Sequence, residues 1–337
     1  MTDVVAERSV DPAARRAAAA TELEMGMDRF RSELTGYCYR MLGGASEAED
    51  AAQVALVRAW QNIATFEGRA SLRSWLYRIA TNVCFDMLGS SQRRARPMDL
   101  SPAKHATDQL GPGLVESAWR EPIPDGRVGV GGGDPAETAV ARESIRLAFV
   151  AALQHLPARQ RAVLILREVL RWKADEVAQL LETSVASVNS ALQRARATLD
   201  AVGVAETDTF DELDATQRAL LERYVDAFER YDMESLTQLI YQDATMSMPP
   251  FEMWLQGADE IRAFLLGQGA KCRGSRLVPT VANGSPAFGQ YHAVPGGGHA
   301  PWALQVLEIS DGRVVGLNSF LDVGRLFPLF DLPPQLD

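Results

Sequence analysis

The sequence predicts a multidomain protein in which two all-α domains are followed by an α+β domain. The chain has 337 residues, 47% of them hydrophobic, which is enough for two or three domains of ordinary size. Apolar residues recur at helical spacing over residues 27–88 and again over residues 138–203. After residue 213, two helical segments precede β-rich segments separated by turn residues, a succession typical of α+β domains.

The first 26 residues are rich in Ala, Arg and Glu and lack a clear core stripe, so we expect a disordered or frayed leader. The first all-α domain is predicted over residues 27–96. Its clearest helix opens after Ser71, whose hydroxyl suits an N-cap. The apolar stripe of this helix consists of Leu72, Trp75, Leu76, Ile79, Ala80, Val83 and Met87. Arg78, Asn82 and Asp86 lie at i, i+4 and i+8 and are expected to share one exposed edge.

Residues 97–137 are predicted to form an inter-domain linker. Five prolines between residues 97 and 124, and the run Gly131–Gly133, exclude a continuous helix there. A second, shorter linker is predicted over residues 204–212, where acidic and polar residues dominate.

The second all-α domain, residues 138–203, contains a predicted helix-turn-helix between Trp172 and Leu199. A turn at Glu182–Thr183 separates its two helices. The positions expected to face inward are Val177, Leu180 and Leu181 in the first helix and Val185, Val188, Leu192, Ala195 and Leu199 in the second. The outer face of the second helix carries side chains that suit base edges and phosphates. They are Ser184, which also suits the N-cap, Ser187, Asn189, Ser190, Gln193, Arg194 and Arg196.

The α+β domain is predicted over residues 213–337. One helical stripe consists of Leu220, Tyr224, Ala227, Phe228 and Tyr231, and a second helix covers residues 233–241. Strands are expected over residues 303–309 and 314–320, joined by the turn Ser310–Gly312. Six side chains are candidates for an apolar pocket in this domain. They are Met246, Met248, Phe251, Trp254, Trp302 and Phe320.

The charge of the chain is distributed unevenly. The net charge is −10, and residues 205–337, with 9 Lys/Arg and 19 Asp/Glu, carry all of it. We therefore expect any DNA contact to be confined to local patches of the first 204 residues. The third domain is expected to restrain or tune the others without touching DNA.

Membrane, redox and metal functions find no support in the sequence. No stretch approaches the roughly 20 apolar residues of a membrane helix, and the N-terminus lacks the apolar core of a signal peptide. We therefore expect a cytoplasmic protein. Cys38, Cys84 and Cys272 are far apart and are expected to be reduced, buried thiols. We expect no metal and no cofactor.

Several motifs in order give the chain a family resemblance. Over residues 27–200 it resembles regions two and four of the extracytoplasmic-function (ECF) sigma factors of the sigma-70 family. The motifs are Ala48-Glu49-Asp50-Ala51-Ala52-Gln53 with Leu56 and Arg58-Ala59-Trp60, Phe66 with Ser74–Asn82 and Asp86, Leu156-Pro157 with Arg159-Gln160-Arg161, Glu176-Val177-Ala178, and Leu192–Arg196.

The resemblance implies partners and roles. It implies that the chain binds core RNA polymerase and promoter DNA and is not an enzyme. Core binding would fall to Glu49, Asp50, Gln53 and Leu56. Opening of the minus-ten element would fall to Phe66, Arg69, Arg78, Asn82 and Asp86, with the Asn82 amide at a flipped base. The seven outer residues of the helix-turn-helix would read the minus-thirty-five element, and the linker would thread through the RNA-exit path or serve as a plain tether.

One departure concerns the strength of DNA binding. Members of the family often have basic residues where this chain has Asn189 and Ala191. Fewer phosphate contacts imply a shallower salt dependence and weak promoter binding without core polymerase.

The C-terminal domain resembles the SnoaL-like branch of the nuclear-transport-factor-two (NTF2) fold. The residues that carry this likeness are Leu220–Phe228, Met248–Pro250, Trp254, Gly257, Ile261 and Phe264. The full order of domains looks most like the SigG-like actinobacterial group. This implies a regulatory or ligand-sensing domain that contacts the sigma regions and binds a small ligand. Residues 322–327 do not match the Asn-Pro-Asp-Lys signature of some related factors.

Two other functional classes remain open from the sequence. The first is a helix-turn-helix repressor or activator that acts without polymerase. The second is a SnoaL-type isomerase or cyclase fused to a regulatory module, with Asp243, His292 or His299 as acid or base.

Overall fold

The computed structural model describes residues 12–90, 96–115, 119–129, 135–203, 207–208, 210–211 and 214–337. The predicted Gly131–Gly133 run lies outside these ranges. Among the described residues, no helix combines the length and the apolar character needed to cross a membrane.

The first domain is a bundle of helices α1 (Pro12–Met25), α2 (Met27–Leu42), α3 (Ala45–Asn62) and α4 (Leu72–Ser90). The expectation of a disordered or frayed leader is wrong for residues 12–25, because they form helix α1. Its Ala19 and Leu23 are buried against the bundle, at 4% and 0% exposure. An alanine-rich helix needs only such a narrow apolar contact to be held, because alanine has the highest intrinsic helix propensity.

The second domain follows the linker. The linker contains the short helix α5 (Pro97–Leu100) and a 3-10 turn at Asp125–Val128. The second domain then consists of α6 (Pro135–Ile145), α7 (Leu147–Leu153), α8 (Ala158–Leu164), a π-helical turn at Ile165–Val169, α9 (Ala174–Leu180) and α10 (Val185–Val202).

The two all-α domains share one hydrophobic core. The rings of Tyr77 in α4 and Trp172 before α9 lie 5.1 Å apart between centroids. Arg161 in α8 is buried, and its guanidinium donates to the carbonyl of Met41 in α2 and to Gln154 Oε1 at 2.6 Å. The two domains are therefore packed together as one body.

The third domain is the predicted α+β unit. Helices α11 (Ala215–Glu229), α12 (Met233–Leu239) and α13 (Ala258–Leu266) pack on a six-stranded sheet, and α14 (Val323–Leu329) closes it. The strands are β1 (Ile240–Ser247), β2 (Trp254–Gln256), β3 (Arg276–Ala282), β4 (Ser285–Ala293), β5 (His299–Ser310) and β6 (Arg313–Phe320). Their order is β2-β1-β6-β5-β4-β3, with β1 and β6 parallel and the other neighbours antiparallel.

The turn between β5 and β6 confirms the predicted hairpin. Asp311 and Gly312 have φ angles of +51° and +68°, and two successive residues at positive φ match the right-handed twist of the strands they join. The predicted helix over residues 233–241 ends earlier, at Leu239, because Ile240 already starts strand β1.

The first part of the linker, residues 101–114, lies against the third domain. Lys104 N donates to Trp254 O at 2.9 Å, and Trp254 Nε1 donates back to Ser101 O at 2.8 Å. Farther along, Leu114 N donates to Pro250 O at 2.9 Å. The linker is thus held by backbone hydrogen bonds along one side of the C-terminal domain.

Candidate nucleic-acid interface

Helix α4 presents the polar edge predicted to contact DNA. Ser71 Oγ accepts a hydrogen bond from Ser74 N at 3.1 Å, so the helix begins at the predicted cap. Arg78, Asn82 and Asp86 are all exposed, because the stripe on the opposite side of the helix is packed into the core.

Two exposed ion pairs flank Asn82 on this edge. Asp86 Oδ2 lies 3.5 Å from Arg58 Nη1, and Arg78 Nη1 lies 3.8 Å from Glu182 Oε1 in the turn of the helix-turn-helix. Exposed pairs of this length contribute at most about 1 kcal/mol each. Both arginines can therefore exchange their carboxylate partners for phosphates at little cost.

A cavity of about 580 Å³ opens beside the first turn of α4. One wall is the loop 65–71, which includes Phe66 and Arg69, and the opposite wall is helix α9 of the second domain. Phe66 is only 8% exposed, since its ring packs on Trp75 with 5.4 Å between centroids. The structure brings Phe66, Arg69 and Arg78 to this cavity, whereas Asn82 and Asp86 are not part of its lining.

The helix-turn-helix forms as predicted. Val177, Leu180 and Leu181 are buried, and Ser184 Oγ accepts from Ser187 N at 3.1 Å at the start of α10. The turn residue Glu182 has a φ of +51°. The seven predicted outer residues are exposed, namely Ser184, Ser187, Asn189, Ser190, Gln193, Arg194 and Arg196.

One position of α10 differs from the prediction, and another has a burial that the sequence did not indicate. Val185 was expected to pack inward but is 43% exposed, whereas Val188, one turn later, is fully buried. Ala191, one of the two positions where the family often has a basic residue, is only 9% exposed. Arg196 Nη2 is already paired with Glu168 Oε1 at 2.5 Å, so Arg196 must break this ion pair before it can bind a phosphate. We therefore expect Arg194 to contribute more to phosphate binding than Arg196.

Helix α3 presents the surface predicted to bind polymerase. Its alanines face the core, so Asp50 and Gln53 point to solvent, while Glu49 is half-buried with Arg127 Nη1 at 3.8 Å. Leu56 was predicted to belong to this surface, but it is 5% exposed and belongs to the core. It is buried because it follows Ala52 by four residues on the buried stripe.

Sequence reasoning missed the apolar part of this surface. Val54, Val57 and Trp60 are 40%, 48% and 46% exposed on α3. Their spacing of three residues, offset from the alanine stripe, is the signal that could have identified them. Exposed apolar side chains that lie together on one helix face are typical of a protein interface.

The tip of the β3–β4 hairpin joins all three domains. Asn283, at a φ of +57° and fully buried, donates from Nδ2 to Tyr39 Oη at 2.7 Å and to Ile145 O at 2.6 Å. Its Oδ1 accepts from Ile123 N at 2.9 Å. One side chain of the C-terminal domain thus binds the first domain, the linker and helix α6 of the second domain.

Buried arginines fix the same junction. Arg40 in α2 is buried and donates to Ser144 Oγ at 2.7 and 3.0 Å. Removal from water disfavours the charged form, so burial lowers the pKa of Arg40 to about 10. Arg120 in the linker is also buried and lies 3.3 Å from Asp99 Oδ2. Burial first, and then the nearby Arg96, lower the pKa of Arg120 to about 9.

The predicted apolar pocket of the third domain is not formed by the six expected side chains together. Met246 is a core residue, and Trp302 is 40% exposed and stacks on His292 with 4.1 Å between ring centroids. Trp254 donates to the linker, as described above. Phe251 and Phe320 line a different cleft, between the linker and the third domain. The remaining member, Met248, packs on the edge of the core.

Two of the three potential acid–base residues of this domain are neighbours in the sheet, because His292 pairs with Ala300 and His299 pairs with Ala293 on adjacent strands, which directs the two imidazoles to opposite faces. Asp243 lies on β1, His292 on β4 and His299 at the start of β5. Burial first, and then Lys271, lower the pKa of His292 to about 4. Among the described residues, no group of three or more His, Cys, Asp and Glu side chains is arranged to hold a metal ion.

The three cysteines are free thiols. Cys38 and Cys84 are fully buried in the first domain, as predicted, and Cys272 is partly buried. Burial raises the pKa of the Cys84 thiol and of the Cys272 thiol, which keeps both in the unreactive protonated form.

Comparison with known families assigns each domain. Residues 27–94 match Sigma-70 region 2, residues 146–199 match Sigma-70 region 4, and residues 216–294 match the Nuclear transport factor 2 (NTF2) domain.

Proteins similar to the chain match it over different lengths. The chain is 44% identical over 313 residues to the ECF RNA polymerase sigma factor SigG of Mycobacterium tuberculosis, covering 91% of this chain and 83% of that one. It is 30% identical over 173 residues to the ECF RNA polymerase sigma factor SigW of Bacillus subtilis, covering 51% of this chain and 84% of that one. The crystal structure of Mycobacterium tuberculosis SigJ has the same fold, with a TM-score of 0.60 at 21% identity over 92% of this chain and all of that one.

Proposed function

The chain belongs to the ECF RNA polymerase sigma factors, and from this premise we propose that its compact form is a resting state that must open before transcription starts. As an alternative sigma factor it binds core RNA polymerase and promoter DNA and directs initiation at specific promoters. For the proposals below we take residues 27–96 and 138–203 as the two sigma domains and residues 213–337 as the C-terminal domain.

The observation that carries the proposal is the direct packing of the second domain on the first. Tyr77 and Trp172 are in ring contact, and helix α9 forms one wall of the cavity that includes Phe66 and Arg69. By their numbering, positions minus-ten and minus-thirty-five lie about 25 base pairs apart, which is about 85 Å of duplex at roughly 3.4 Å per base pair. Two domains that share one core do not reach both elements, so we infer that they separate when the chain binds core polymerase, before both elements are bound.

We assign roles to the exposed residues accordingly. Asn82, with Arg78 and Asp86 beside it, contacts the minus-ten strand, and Phe66 and Arg69 complete that surface once α9 has moved. The outer face of α10 reads the minus-thirty-five element in the major groove. Asp50 and Gln53, together with Val54, Val57 and Trp60, dock on core polymerase.

The C-terminal domain restrains this opening. Its hairpin residue Asn283 holds Tyr39, Ile123 and Ile145 at once. Arg325 in α14 adds a charged contact, because it pairs with the linker residue Glu121 at 2.8 Å. Separation of the sigma domains therefore requires these buried contacts to break. We place this activity in the cytoplasm. We assign no catalysis to the domain, in accord with the separation of Asp243 on β1 from the two histidines on β5 and β4, which strand β6 divides.

The affinity of the purified chain for core polymerase tests the proposal. Asn283→Ala removes three buried hydrogen bonds, and leaving their partners unsatisfied costs about 1–3 kcal/mol or more. We expect core binding at least about tenfold tighter, because 1.4 kcal/mol corresponds to a factor of ten. Asp311→Ala is the matched control, since it changes an exposed hairpin residue of similar φ, and it should alter the affinity less than twofold.

Equal core affinities for the wild type, Asn283→Ala and a variant without residues 205–337 would contradict the restraint. A lack of any binding to core polymerase by all three would instead contradict the assignment of the polymerase-binding surface.

A further inference from the structure

A second cleft lies between the linker and the C-terminal domain, and no role described so far uses it. Its volume is about 470 Å³, within the range of small-molecule sites in proteins. The linker contributes residues 113–115, 119, 121 and 122, and the C-terminal domain contributes residues 249–251, 320–322 and 326. We call this space the junction cleft.

The walls of the junction cleft are mostly apolar. Trp119 from the linker and Phe320 and Leu326 from the C-terminal domain are 3%, 7% and 5% exposed, so their rings and methyl groups form fixed surfaces. Prolines at residues 122, 249 and 250 add further rigid apolar surface. Such a wall binds a ligand through the apolar area that it removes from water.

The charges in the cleft are already neutralised. Among the residues that the structure describes, the charged side chains that line it are Glu121 and Asp322. Arg325 lies 2.8 Å from Glu121 and 3.7 Å from Asp322, and Glu121 Oε2 also accepts from Ser46 N at 3.1 Å. Both carboxylates repel anions, and neither lacks a counter-charge, so the cleft favours an uncharged occupant.

The position of the cleft couples occupancy to domain arrangement. Leu114 N donates to Pro250 O at 2.9 Å, and a Cβ placed on Gly113 would lie 3.2 Å from Pro250 Cγ. The two walls are therefore in direct contact at one end of the cleft. A molecule that fills it touches both walls, and it binds fully only while the linker lies on the C-terminal domain.

We propose that the junction cleft is a binding site for a small, uncharged, apolar molecule, and that its occupancy holds the linker on the C-terminal domain. The regulatory consequence rests on the restraint proposed above, whereas the binding itself does not. Because the ligand binds the closed form, it multiplies the equilibrium constant for closing by a factor of one plus the ratio of the ligand concentration to Kd.

Binding of the uncharged dye Nile red to the full-length chain tests the site. We expect saturable fluorescence enhancement with a single Kd. Leu114→Trp and Leu321→Trp fill the cleft from its two walls and should each weaken dye binding at least tenfold. Leu100→Trp is the matched control, because it makes the same change at a linker position that is 47% exposed and outside the cleft, and it should leave the Kd unchanged.

A cooperative thermal unfolding transition checks that each variant is folded. Because Leu114→Trp and Leu321→Trp lie on opposite walls, one of them still tests the site if the other does not fold. If folded Leu114→Trp or Leu321→Trp binds the dye as the wild type does, the junction cleft is not the site. Loss of dye binding in Trp60→Ala instead would place the dye on the apolar surface of α3 and would also overturn the proposal.

The coupling is tested by core affinity in the presence of the dye. At a dye concentration ten times the Kd we expect the wild type to bind core polymerase about tenfold more weakly, and Leu114→Trp to be insensitive. Saturable binding without this change would refute the coupling and leave the site itself supported. The restraint by Asn283 is measured without dye, so its failure is distinguishable from failure of the cleft.

Discussion

Single residues decide which parts of each surface are available. On helix α3 the predicted contact Leu56 is buried, whereas Trp60, one turn farther along, is 46% exposed. Leu56 therefore contributes to the stability of the domain, whereas Trp60 is available for the polymerase contact proposed for it.

Substitution of these two residues should therefore give opposite results. Trp60→Ala should weaken core binding about tenfold with little effect on stability, because exposed aromatic side chains dominate many interfaces. Leu56→Ala should lower the free energy of unfolding by about 2–5 kcal/mol, as for other buried leucines. Core affinity and chemical denaturation of both variants are the measurements, and a loss of core affinity confined to Leu56→Ala would contradict this assignment.

His105 and Glu260 give the linker a contact that depends on pH. His105 Nδ1 lies 3.2 Å from Glu260 Oε1, and Ala106 N donates to Glu260 Oε2 at 2.7 Å. The hydrogen bond to Glu260 raises the pKa of His105 above 6.5, and the bonds from Ala106 and His105 lower the pKa of Glu260 below 4.5.

The sign of the pH dependence follows from these two shifts. The contribution of His105 to stability is complete below pH 6.5 and is lost as the pH rises through the folded-state pKa of His105. The contribution of Glu260 is lost as the pH falls through the folded-state pKa of Glu260, which lies below 4.5. The contact is therefore strongest between about pH 4.5 and 6.5. In an NMR titration, the pKa of His105 should exceed 6.5 and should fall in Glu260→Gln; a value at or below 6.5 in the wild type would refute the contact.

At the scale of elements, α4 and α10 should act at different steps of initiation. Asn82→Ala should impair promoter melting more than initial binding, because the role proposed for its amide is to contact a base that becomes accessible only after the strands open. Asn189→Ala makes the same change on α10 and should impair initial binding of the duplex. Permanganate reactivity of unpaired thymines reports melting, and filter binding reports affinity. Equal losses in both assays for Asn82→Ala would contradict base capture.

The two arginines of α10 should differ in their salt dependence. Arg194→Ala should reduce the slope of log affinity against log salt concentration by about one, since one phosphate contact is lost. Arg196→Ala should change the slope less, because its guanidinium is shared with Glu168 at 2.5 Å. The measurement is promoter binding by the reconstituted holoenzyme over a range of salt concentrations, and equal slopes for Arg194→Ala and the wild type would remove Arg194 from the interface.

At the scale of the whole molecule, local patterns and long-range contacts differ in how well the sequence predicts them. The caps Ser71 and Ser184 and the turn Asp311–Gly312 were predictable, because each is determined by a few neighbouring residues. The same holds for the exposed edge of α4 and the outer face of α10, which follow from helical periodicity.

Contacts between distant parts of the chain were not predictable. Asn283 binds Tyr39 across 244 positions, and nothing in its local sequence beyond an Asn-Gly turn indicates a partner. Helix α1 was missed because its burial depends on only two side chains, Ala19 and Leu23. The junction cleft was likewise hidden, since its walls come from segments more than 100 residues apart.

The central claim is that the two sigma domains are packed together in the free chain and separate on core polymerase. The most direct test is energy transfer between dyes at Asp86→Cys on α4 and Ala197→Cys on α10. Cys272→Ser avoids labelling of that thiol, and Cys38 and Cys84 are fully buried. We expect high transfer in the free chain and its near loss on core polymerase, where the domains must span about 85 Å at roughly 3.4 Å per base pair. Low transfer in the free chain, or equally high transfer when bound, would contradict the account.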